Sequence, residues 1–390
     1  LFMFTVSLLV IGSVIGALAP SFAVLLAGRV VQALGTGLLI PIGMNITLAS
    51  SPREKLGLYM GIMGAMTTLG PSSSVIVAGL ILSVSGWQLM LWVFAGIALL
   101  CFLSGAAVLG DVAQLTRPKL DKGSVALIGV ALVGILYGVS TVFSGAIFFA
   151  CVSAAVGIAC LAFFVARQRK LAEPLIDLRP LSARPFSMGV IVNMLSLVTI
   201  FAMNIIIPVF AQSVLGISPL TASLMLFPAI IVSCILSPVA GRIYDRHGAG
   251  VLLPLGFILI AVFAATLSYF IRTGEAALIA VLYIPVIAGS ALIIGPVQSF
   301  ALSRLAGELH PHGVTIISTS FQIAGCIGSS LFTGIYAAGI AAGMASGADG
   351  QGAAASSFLT TGLLVAVFAV AGVVLALLLR RYGTRTEPHS

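Results

Sequence analysis

The amino-acid sequence predicts an all-α protein that crosses a lipid bilayer many times. Of its 390 residues, 60% are hydrophobic and only 7% are charged, whereas a soluble domain keeps about a quarter of its residues charged. The mean hydropathy is +1.23. Apolar runs of roughly 18 residues or more are long enough to span a bilayer as helices. Together these observations predict a polytopic membrane protein.

Twelve apolar segments have the length of a spanning helix. They cover residues 1–19, 22–49, 56–83, 87–109, 123–142, 145–166, 186–211, 219–241, 250–271, 276–302, 313–340 and 357–379. Glycine and proline interrupt many of these segments, which membrane helices tolerate when neighbouring groups satisfy the freed backbone atoms.

Lysine and arginine positions predict the orientation. If the first helix runs from inside to outside, sixteen of the 18 basic residues fall in cytoplasmic loops or the tail. These are Arg53, Lys55, Arg117, Lys119, Lys122, Arg167, Arg169, Lys170, Arg179, Arg184, Arg242, Arg246, Arg304, Arg380, Arg381 and Arg385. Arg272 lies outside and Arg29 lies within a helix. The positive-inside rule therefore predicts a cell-membrane protein with both ends of this chain in the cytoplasm.

Composition and spacing exclude several other classes of protein. The pI of about 9.6 does not indicate nucleic-acid binding, because the basic residues are spread over short loops. The five cysteines lie in apolar runs without metal or disulfide spacing. Since no nucleophile–base set, metal cluster or phosphate loop is visible, we expect neither an enzyme nor a bound cofactor. Leu1 begins inside an apolar run without an initiator Met, so we expect the N-terminus of the natural protein to be missing.

A charged turn, Pro238 to Gly250, joins the eighth and ninth segments. Its G-x3-D-R-x-G spacing resembles the cytoplasmic loop signature of the major facilitator superfamily of transporters. The resemblance implies the major facilitator fold and a gating loop built from Gly241, Arg242, Asp245, Arg246 and Gly248. The spacing alone is equally typical of a tight polar turn whose glycines take positive φ and whose basic residues hold it on the inner face.

The second segment carries a charge at membrane depth. Arg29 stands about seven residues into it, hence roughly 10 Å deep at 1.5 Å per residue. Because an arginine at membrane depth costs on the order of 3 kcal/mol, we expect it to face the bundle interior with a partner. The alternative is a snorkelling arginine near the helix end. The pattern R-x2-Q-x2-G of Arg29, Gln32 and Gly35 resembles a facilitator signature, which implies that Arg29 and Gln32 line the transport pathway.

In the third segment, Gly61, Gly70 and Gly79 recur every nine residues and so share one face. Small residues on one face let a neighbouring backbone approach closely. The placing resembles the antiporter signature G-x8-G-x3-G-P-x2-G-G of the superfamily. The signature's Gly-Pro pair is Ser74-Val75 here, although Gly70-Pro71 supplies a bend nearby.

An internal repeat and a longer resemblance both indicate one branch of that superfamily. Residues 35–41 of the second segment resemble residues 289–296 of the tenth, eight helices apart, whereas equivalent helices of the two facilitator halves stand six apart. The run Ala211 to Gly248 resembles the fourteen-helix drug:proton antiporters over its whole length. This resemblance implies that the chain lacks the first two helices of that branch. Residues 1–110 would then form four helices of the N-terminal bundle, 111–184 two linker helices, and 185–390 the six-helix C-terminal bundle with its tail.

Polar residues inside the later segments are candidates for the transport pathway. They are Asn193 and Asn204 of the seventh, Gln298 of the tenth, and Gln322 of the eleventh. The alternative is that they join helices by hydrogen bonds. All ten acidic residues lie in loops, at helix ends or in the tail. The carboxylate that proton coupling requires is, by the resemblance, expected in the missing first helix.

The sequence therefore predicts a secondary active transporter in which two helical bundles rock about a midplane site. We expect proton-coupled efflux of amphipathic or cationic small molecules, with the lipid bilayer, the substrate and protons as its partners. Asp245 is expected to pair with a basic residue or a helix terminus in one state only. The alternatives are a metabolite importer or facilitator of the same fold, and a truncated remnant that transports nothing.

Overall fold

A computed structural model of the chain describes residues 1–108, 121–143, 146–171 and 174–383. In these ranges the regular secondary structure is helical throughout, so the predicted all-α fold is confirmed. The helices are α1 (Phe2–Ala17), α2 (Phe22–Ser50), α3 (Leu56–Val84), α4 (Trp87–Val108), α5 (Lys122–Thr141), α6 (Ile147–Gln168), α7 (Arg179–Ser182), α8 (Arg184–Ser213), α9 (Pro219–Leu224), α10 (Phe227–His247), α11 (Leu252–Phe270), α12 (Ala276–Ala291), α13 (Ile294–Ser303), α14 (His310–Ala345) and α15 (Gly350–Gly383).

The apolar helices coincide with the predicted spans. Within the described ranges, 10 helical stretches are long and apolar enough to cross a membrane, and two shorter apolar ones are Phe2–Ala17 and Leu56–Thr67. Each of these twelve stretches overlaps one of the twelve predicted segments, in the same order. The polytopic membrane fold therefore follows from the hydropathy pattern.

Two predicted spans each contain two helices, and a proline stands shortly after each break. Pro228 stands four residues after Leu224, where α9 ends, and Pro296 stands four residues after Leu292, the C-cap of α12. A proline cannot donate to the carbonyl four residues earlier, and its ring clashes with that carbonyl. Each break falls where such a proline interrupts the hydrogen-bond pattern, although α2, α8, α10 and α12 each continue through another proline.

The chain divides into two compact units. The first comprises Leu1–Ser51 and Ser73–Arg117, in which α1 packs between α2 and α4. The contact between α1 and α2 depends on glycine: a Cβ placed on Gly28 would lie 2.8 Å from the backbone nitrogen of Gly16 and 2.9 Å from the carbonyl oxygen of Gly12. Such close backbone approach is a usual basis of helix association in membranes.

The second unit comprises Pro52–Ser72 and Pro118–Ser390. Helix α8 is at its centre and packs against α12, α13, α14 and α15. The largest fully buried side chains of this unit are aromatic, and they include Tyr283, Phe186, Phe210 and Phe257. Helices α5 and α6 form an antiparallel pair, and α5 also packs on α14. The first half of α3 belongs to this unit, where it contacts α10 and α13.

Candidate gating and transport sites

The side chain of Asp245, in the last turn of α10, caps the start of α3. Its two carboxylate oxygens accept hydrogen bonds from the backbone N–H groups of Gly57 at 2.6 Å and Leu58 at 2.9 Å. The first N–H groups of a helix have no partner within the helix, and the helix dipole favours negative charge there. Asp245 is half-buried, so this contact is partly shielded from water.

Glycines bring the backbones of α3, α10 and α13 together beside this carboxylate. A Cβ placed on Gly61 would lie 2.5 Å from the carbonyl oxygen of Ser237, and one on Gly295 would lie 2.8 Å from the Cα of Gly61. Gly57 and Gly241 face each other, and a Cβ on either would collide with the other helix. Any larger residue at these positions would therefore separate α3 from its neighbours.

The other residues of the predicted gating loop surround this contact. Gly248 ends α10 with φ of 71°, and its N–H donates to the Tyr244 carbonyl at 2.7 Å. A positive φ of this size is a conformation that glycine adopts without steric cost. Arg242 and Arg246 are exposed. The structure thus brings Asp245 and Gly241 to α3, while the two arginines face outward.

The glycines of the predicted antiporter signature differ in their surroundings. Gly61 is packed as described, whereas a Cβ placed on Gly70 would meet no atom within 4 Å. Gly79 is half-buried. Pro71 belongs to α3, which is continuous from Leu56 to Val84, but its side chain lies outside the described part of the structure.

Arg29 and Gln32 line a cavity of about 520 Å³ among α1, α2 and α4 of the first unit. The Arg29 Nη1 donates to Gln32 Oε1 at 3.1 Å, and Gln32 Nε2 donates to Ser13 Oγ at 2.6 Å. Ser13 Oγ in turn donates to the Leu9 carbonyl at 2.7 Å. Arg29 therefore has an uncharged partner on its own helix. Its guanidinium has further donors that a bound molecule could use.

Ser13 was not singled out by sequence reasoning, because one serine in an apolar helix is most often bonded to its own backbone. The signal that could have found it is the glycine beside it. A Cβ placed on Gly12 would lie 2.7 Å from the Cγ of Gln32. Small residues at 12 and 13 therefore make room for the Gln32 side chain on α1.

Three of the four predicted amide residues of the second unit lie in two separate pairs, one of them with a tyrosine. Asn193 of α8 is 1% exposed and Gln298 of α13 is 6% exposed; Gln298 Nε2 and Asn193 Oδ1 are 3.5 Å apart. The Nδ2 atom of Asn193 is buried without a hydrogen-bond partner among the described residues. Asn204 Oδ1 accepts from the Tyr283 hydroxyl of α12 at 2.9 Å.

Sequence reasoning missed Tyr283, since tyrosine in an apolar helix also reads as a packing residue. Gln322, predicted for the same pathway, is exposed on α14. Asn193 thus combines deep burial with an unused donor, whereas Asn204 has its acceptor satisfied.

Ionic contacts fix the ends of the helix pair α5–α6. Asp121 caps α5, accepting from Ser124 N–H at 3.3 Å and Ser124 Oγ at 2.6 Å. The Arg167 guanidinium at the end of α6 binds the same carboxylate through Nε at 2.7 Å and Nη2 at 3.0 Å. Hydrogen bonds from Arg167, and then from Ser124, hold the pKa of Asp121 well below its usual range. The Asp-x-x-Ser spacing is an N-cap signal that sequence reasoning did not use.

A second cluster joins the following loop to α14. The Asp177 N–H donates to His312 Nδ1 at 3.2 Å, and the Asp177 carboxylate accepts from the Arg179 N–H at 2.8 Å and Nε at 2.6 Å. Burial raises the pKa of Asp177, but the hydrogen bonds from Arg179 outweigh burial and leave that pKa below its ordinary value. Asp177 is therefore charged and paired near neutral pH.

The described helices form a polytopic bundle in which a carboxylate caps a helix at a close glycine contact. The chain belongs to the Major Facilitator Superfamily, whose family model matches residues 1–124 and 123–329. It is thus a membrane transporter of small-molecule substrates.

Several named relatives are similar over most of the chain. The lincomycin resistance protein LmrB of Bacillus subtilis (strain 168) is 32% identical over 334 residues, which are 85% of this chain and 70% of that protein. LmrB of Listeria monocytogenes serovar 1/2a is 33% identical over 337 residues, 86% of this chain and 71% of that protein. A multidrug resistance protein B homolog of Mycobacterium tuberculosis (strain H37Rv) is 27% identical over 346 residues, 85% of this chain and 63% of that protein.

Solved structures support the same fold. An auto-inhibited peptide transporter of the POT family is 14% identical with a TM-score of 0.61, covering 100% of this chain and 83% of that one. The proton:xylose symporter XylE is 16% identical with a TM-score of 0.55, covering 95% of this chain and 79% of that one. At these identities the likeness concerns the fold and not the substrate.

Proposed function

We propose that this transporter exports amphipathic or cationic small molecules by alternating access, coupled to protons. Relatives named for lincomycin resistance and multidrug resistance support this reading. The observation that carries it is the contact of Asp245 with the backbone N–H groups of Gly57 and Leu58. The two hydrogen bonds between this carboxylate and the helix terminus can form and break together, which is what a gate requires.

In this proposal the capping contact stabilises one conformational state and is absent from the other. A contact shifts a conformational equilibrium only by the difference in its free energy between the two states. When the start of α3 separates from α10, water replaces Asp245 at the N–H groups of Gly57 and Leu58, and the glycine contact opens with it. Arg29 and Gln32 then contribute polar groups to the route taken by the substrate, as do Asn193 and Gln298.

We further propose that the chain belongs to the fourteen-helix branch and that two helices of that branch precede α1, with α5 and α6 as its linker pair. The similar segments of the LmrB relatives make up 70% and 71% of those proteins. In the most apolar stretches of α2 and α4, 17% of the residues are buried, as in the proposed linker helices α5 and α6, compared with 72% in α8. Additional helices against α2 and α4 would raise that burial. The proton-binding carboxylate would lie on one of them.

The DNA upstream of the codon for Leu1 tests this placement directly. An open reading frame encoding two apolar helices, one with a carboxylate, would support it. A stop codon or a start signal at this point would instead favour the truncated remnant that does not transport.

We also propose that both ends of this chain, and the basic loops, face the cytoplasm. The test is labelling of single cysteines introduced at Lys122, Arg179 and Arg272 with a reagent that does not cross membranes. Labelling of intact cells at Arg272 alone would support the orientation. Opposite accessibility of Lys122 and Arg179 would refute it.

Export is tested by measuring drug accumulation in cells that carry or lack the full-length gene, across several chemical classes. The expected result is lower accumulation of amphipathic or cationic drugs in cells that express the protein, reversed by dissipating the proton gradient. Unchanged accumulation in every class would count against export. The Asp245→Asn variant, matched for expression, separates transport from indirect effects of overproduction.

Exchange or import of a neutral polar metabolite is the second candidate. It is favoured by the buried amides Asn193 and Gln298 and by the unpaired Nδ2 of Asn193, which suit an uncharged, hydrogen-bonding substrate. Transport in proteoliposomes distinguishes the two candidates. Uptake that is indifferent to an imposed pH gradient would favour exchange over proton-coupled efflux.

A further inference from the structure

Two cavities flank the last turn of α6 in the second unit. The first has a volume of about 420 Å³ and is lined by Gln168, Arg169, Leu171, Asp177 and Arg179, among others. The second has a volume of about 310 Å³ and is lined by Phe163, Ala166, Arg167, Lys170 and Leu171. Leu171 borders both. The two cavities are therefore neighbours on either side of Leu171, just beyond the end of α6.

The wall of the first cavity is held by buried hydrogen bonds. Gln168 is 3% exposed; its Nε2 donates to Ser124 Oγ at 2.6 Å, and its Oε1 accepts from the Ile176 N–H at 3.2 Å. On the opposite wall, Asp177 is bonded to His312 through its N–H at 3.2 Å. The cavity is thus shaped by interactions between α5, α6 and α14 that exist without a ligand.

Among the described residues around the cavities, positive charges outnumber negative ones. Asp121 neutralises Arg167, and Asp177 neutralises Arg179 at 2.6 Å. Glu308 is 3.9 Å from Arg179, but both side chains are largely exposed, which weakens their attraction. Arg169 and Lys170 are exposed and have no acidic partner in the described ranges. Arg179 also keeps guanidinium N–H groups that Asp177 does not use.

The second cavity has an apolar side that continues onto the surface of the span. Phe163 is 68% exposed, and Ala166 is exposed one turn closer to the end of α6. In a membrane-spanning helix such a surface faces acyl chains. A cluster of cations at the end of a span, next to an apolar surface, matches a lipid with an anionic headgroup.

We propose that this pair of cavities binds one anionic phospholipid. The phosphate is held by Arg169, Lys170 and the free N–H groups of Arg179, and an acyl chain lies against Phe163 and Ala166. The bound lipid connects α6 to the loop that leads into α8, and so stabilises the attachment of the pair α5–α6 to the rest of the unit. A free phosphate compound would gain nothing from the apolar side.

The test uses the full chain in detergent, titrated with phosphatidylglycerol, with phosphatidylcholine, or with glycerol phosphate, while lipid retention is followed by native mass spectrometry and unfolding by a thermal assay. The variants are Arg169→Gln with Lys170→Gln, and Ala166→Trp, which fills the apolar side without a change in charge. Arg184→Gln, an exposed cation outside both cavities, is the matched control. All these sites are exposed, so folding without lipid should be preserved.

We expect saturable retention of phosphatidylglycerol and a higher unfolding temperature on its addition. A cation near a charged lipid contributes enough that its loss weakens binding about fivefold, so the double variant should bind about thirtyfold more weakly. Ala166→Trp should also reduce retention, and Arg184→Gln should leave it within about twofold. Equal weakening by Arg184→Gln would show a diffuse surface attraction and overturn the proposal. The proposal would also be overturned if phosphatidylcholine were retained and raised the unfolding temperature as much as phosphatidylglycerol does. The same holds if glycerol phosphate alone raised the unfolding temperature by the full amount.

Discussion

Replacing Asp245 with asparagine should loosen the start of α3 by an amount that the geometry allows us to work out. The two carboxylate oxygens accept from two N–H groups, at 2.6 and 2.9 Å. Asparagine keeps one acceptor oxygen and no charge, so it can retain one of these bonds in weakened form. A hydrogen bond to a charged group contributes about 1.5–3 kcal/mol. At 1.4 kcal/mol per factor of ten, the opening equilibrium should shift about 10- to 100-fold.

Hydrogen exchange measured by mass spectrometry detects this shift in the opening equilibrium at the backbone amides of Gly57 and Leu58. Peptides that contain Gly57 and Leu58 should exchange about 10- to 100-fold faster in Asp245→Asn, while peptides from α11 should be unchanged. Glu54→Gln is the matched control, because it removes an exposed carboxylate just before α3. Its expected effect is below about fivefold, the size of a helix-dipole interaction. Unchanged exchange at Gly57 and Leu58 in Asp245→Asn would refute the capping argument.

Three further predictions concern packing, hydrogen bonding and pH. Gly61→Val should lower the unfolding temperature, since overpacking costs about 1–3 kcal/mol, whereas Gly70→Val, with open space at its Cβ, should not; equal losses would contradict the packing argument. Tyr283→Phe should destabilise the protein by about 1–3 kcal/mol in thermal unfolding, because it leaves Asn204 Oδ1 buried without this donor, and a neutral result would contradict it. The folded-state pKa of Asp121 is depressed, so its stabilisation is present above about pH 4 and lost as the pH falls toward that lower value. Unfolding temperatures from pH 7 to 3 should therefore fall more steeply for the native chain than for Asp121→Asn.

The positions of the helices could be predicted from the sequence because one property, hydropathy over a long window, determines them. A segment that crosses the bilayer must satisfy its backbone polar groups internally, so an apolar run of sufficient length has few alternatives to a helix. The breaks before Pro228 and Pro296 do not follow from proline alone, because α8 and α10 continue through Pro208 and Pro238. Each of these two spans is still one apolar stretch long enough to cross a membrane, Pro219–His247 and Ala276–Ser303, as predicted.

Partners across the bundle could not be predicted in the same way. The partners of Asp245 are the backbone N–H groups of residues 57 and 58, more than 180 positions away. Because every residue except proline has such a group, the residue types at these positions do not indicate the contact. Likewise, nothing in the spacing within α8 distinguishes Asn193, which approaches Gln298, from Asn204, which binds Tyr283. These pairings depend on which helices become neighbours. That arrangement is a property of the whole bundle and not of any single helix.

The contact at the start of α3 combines two interactions with different physical character. The glycines Gly57, Gly61 and Gly241 let the backbones touch, and dispersion at such a contact falls off within a fraction of an ångström. The Asp245 hydrogen bonds are directional and charge-assisted, so they too are lost over a short displacement. Since both terms vanish together when the helices separate, intermediate separations gain from neither. A contact of this kind defines one closed position of α3 sharply, which is what the proposed gate requires of its closed state.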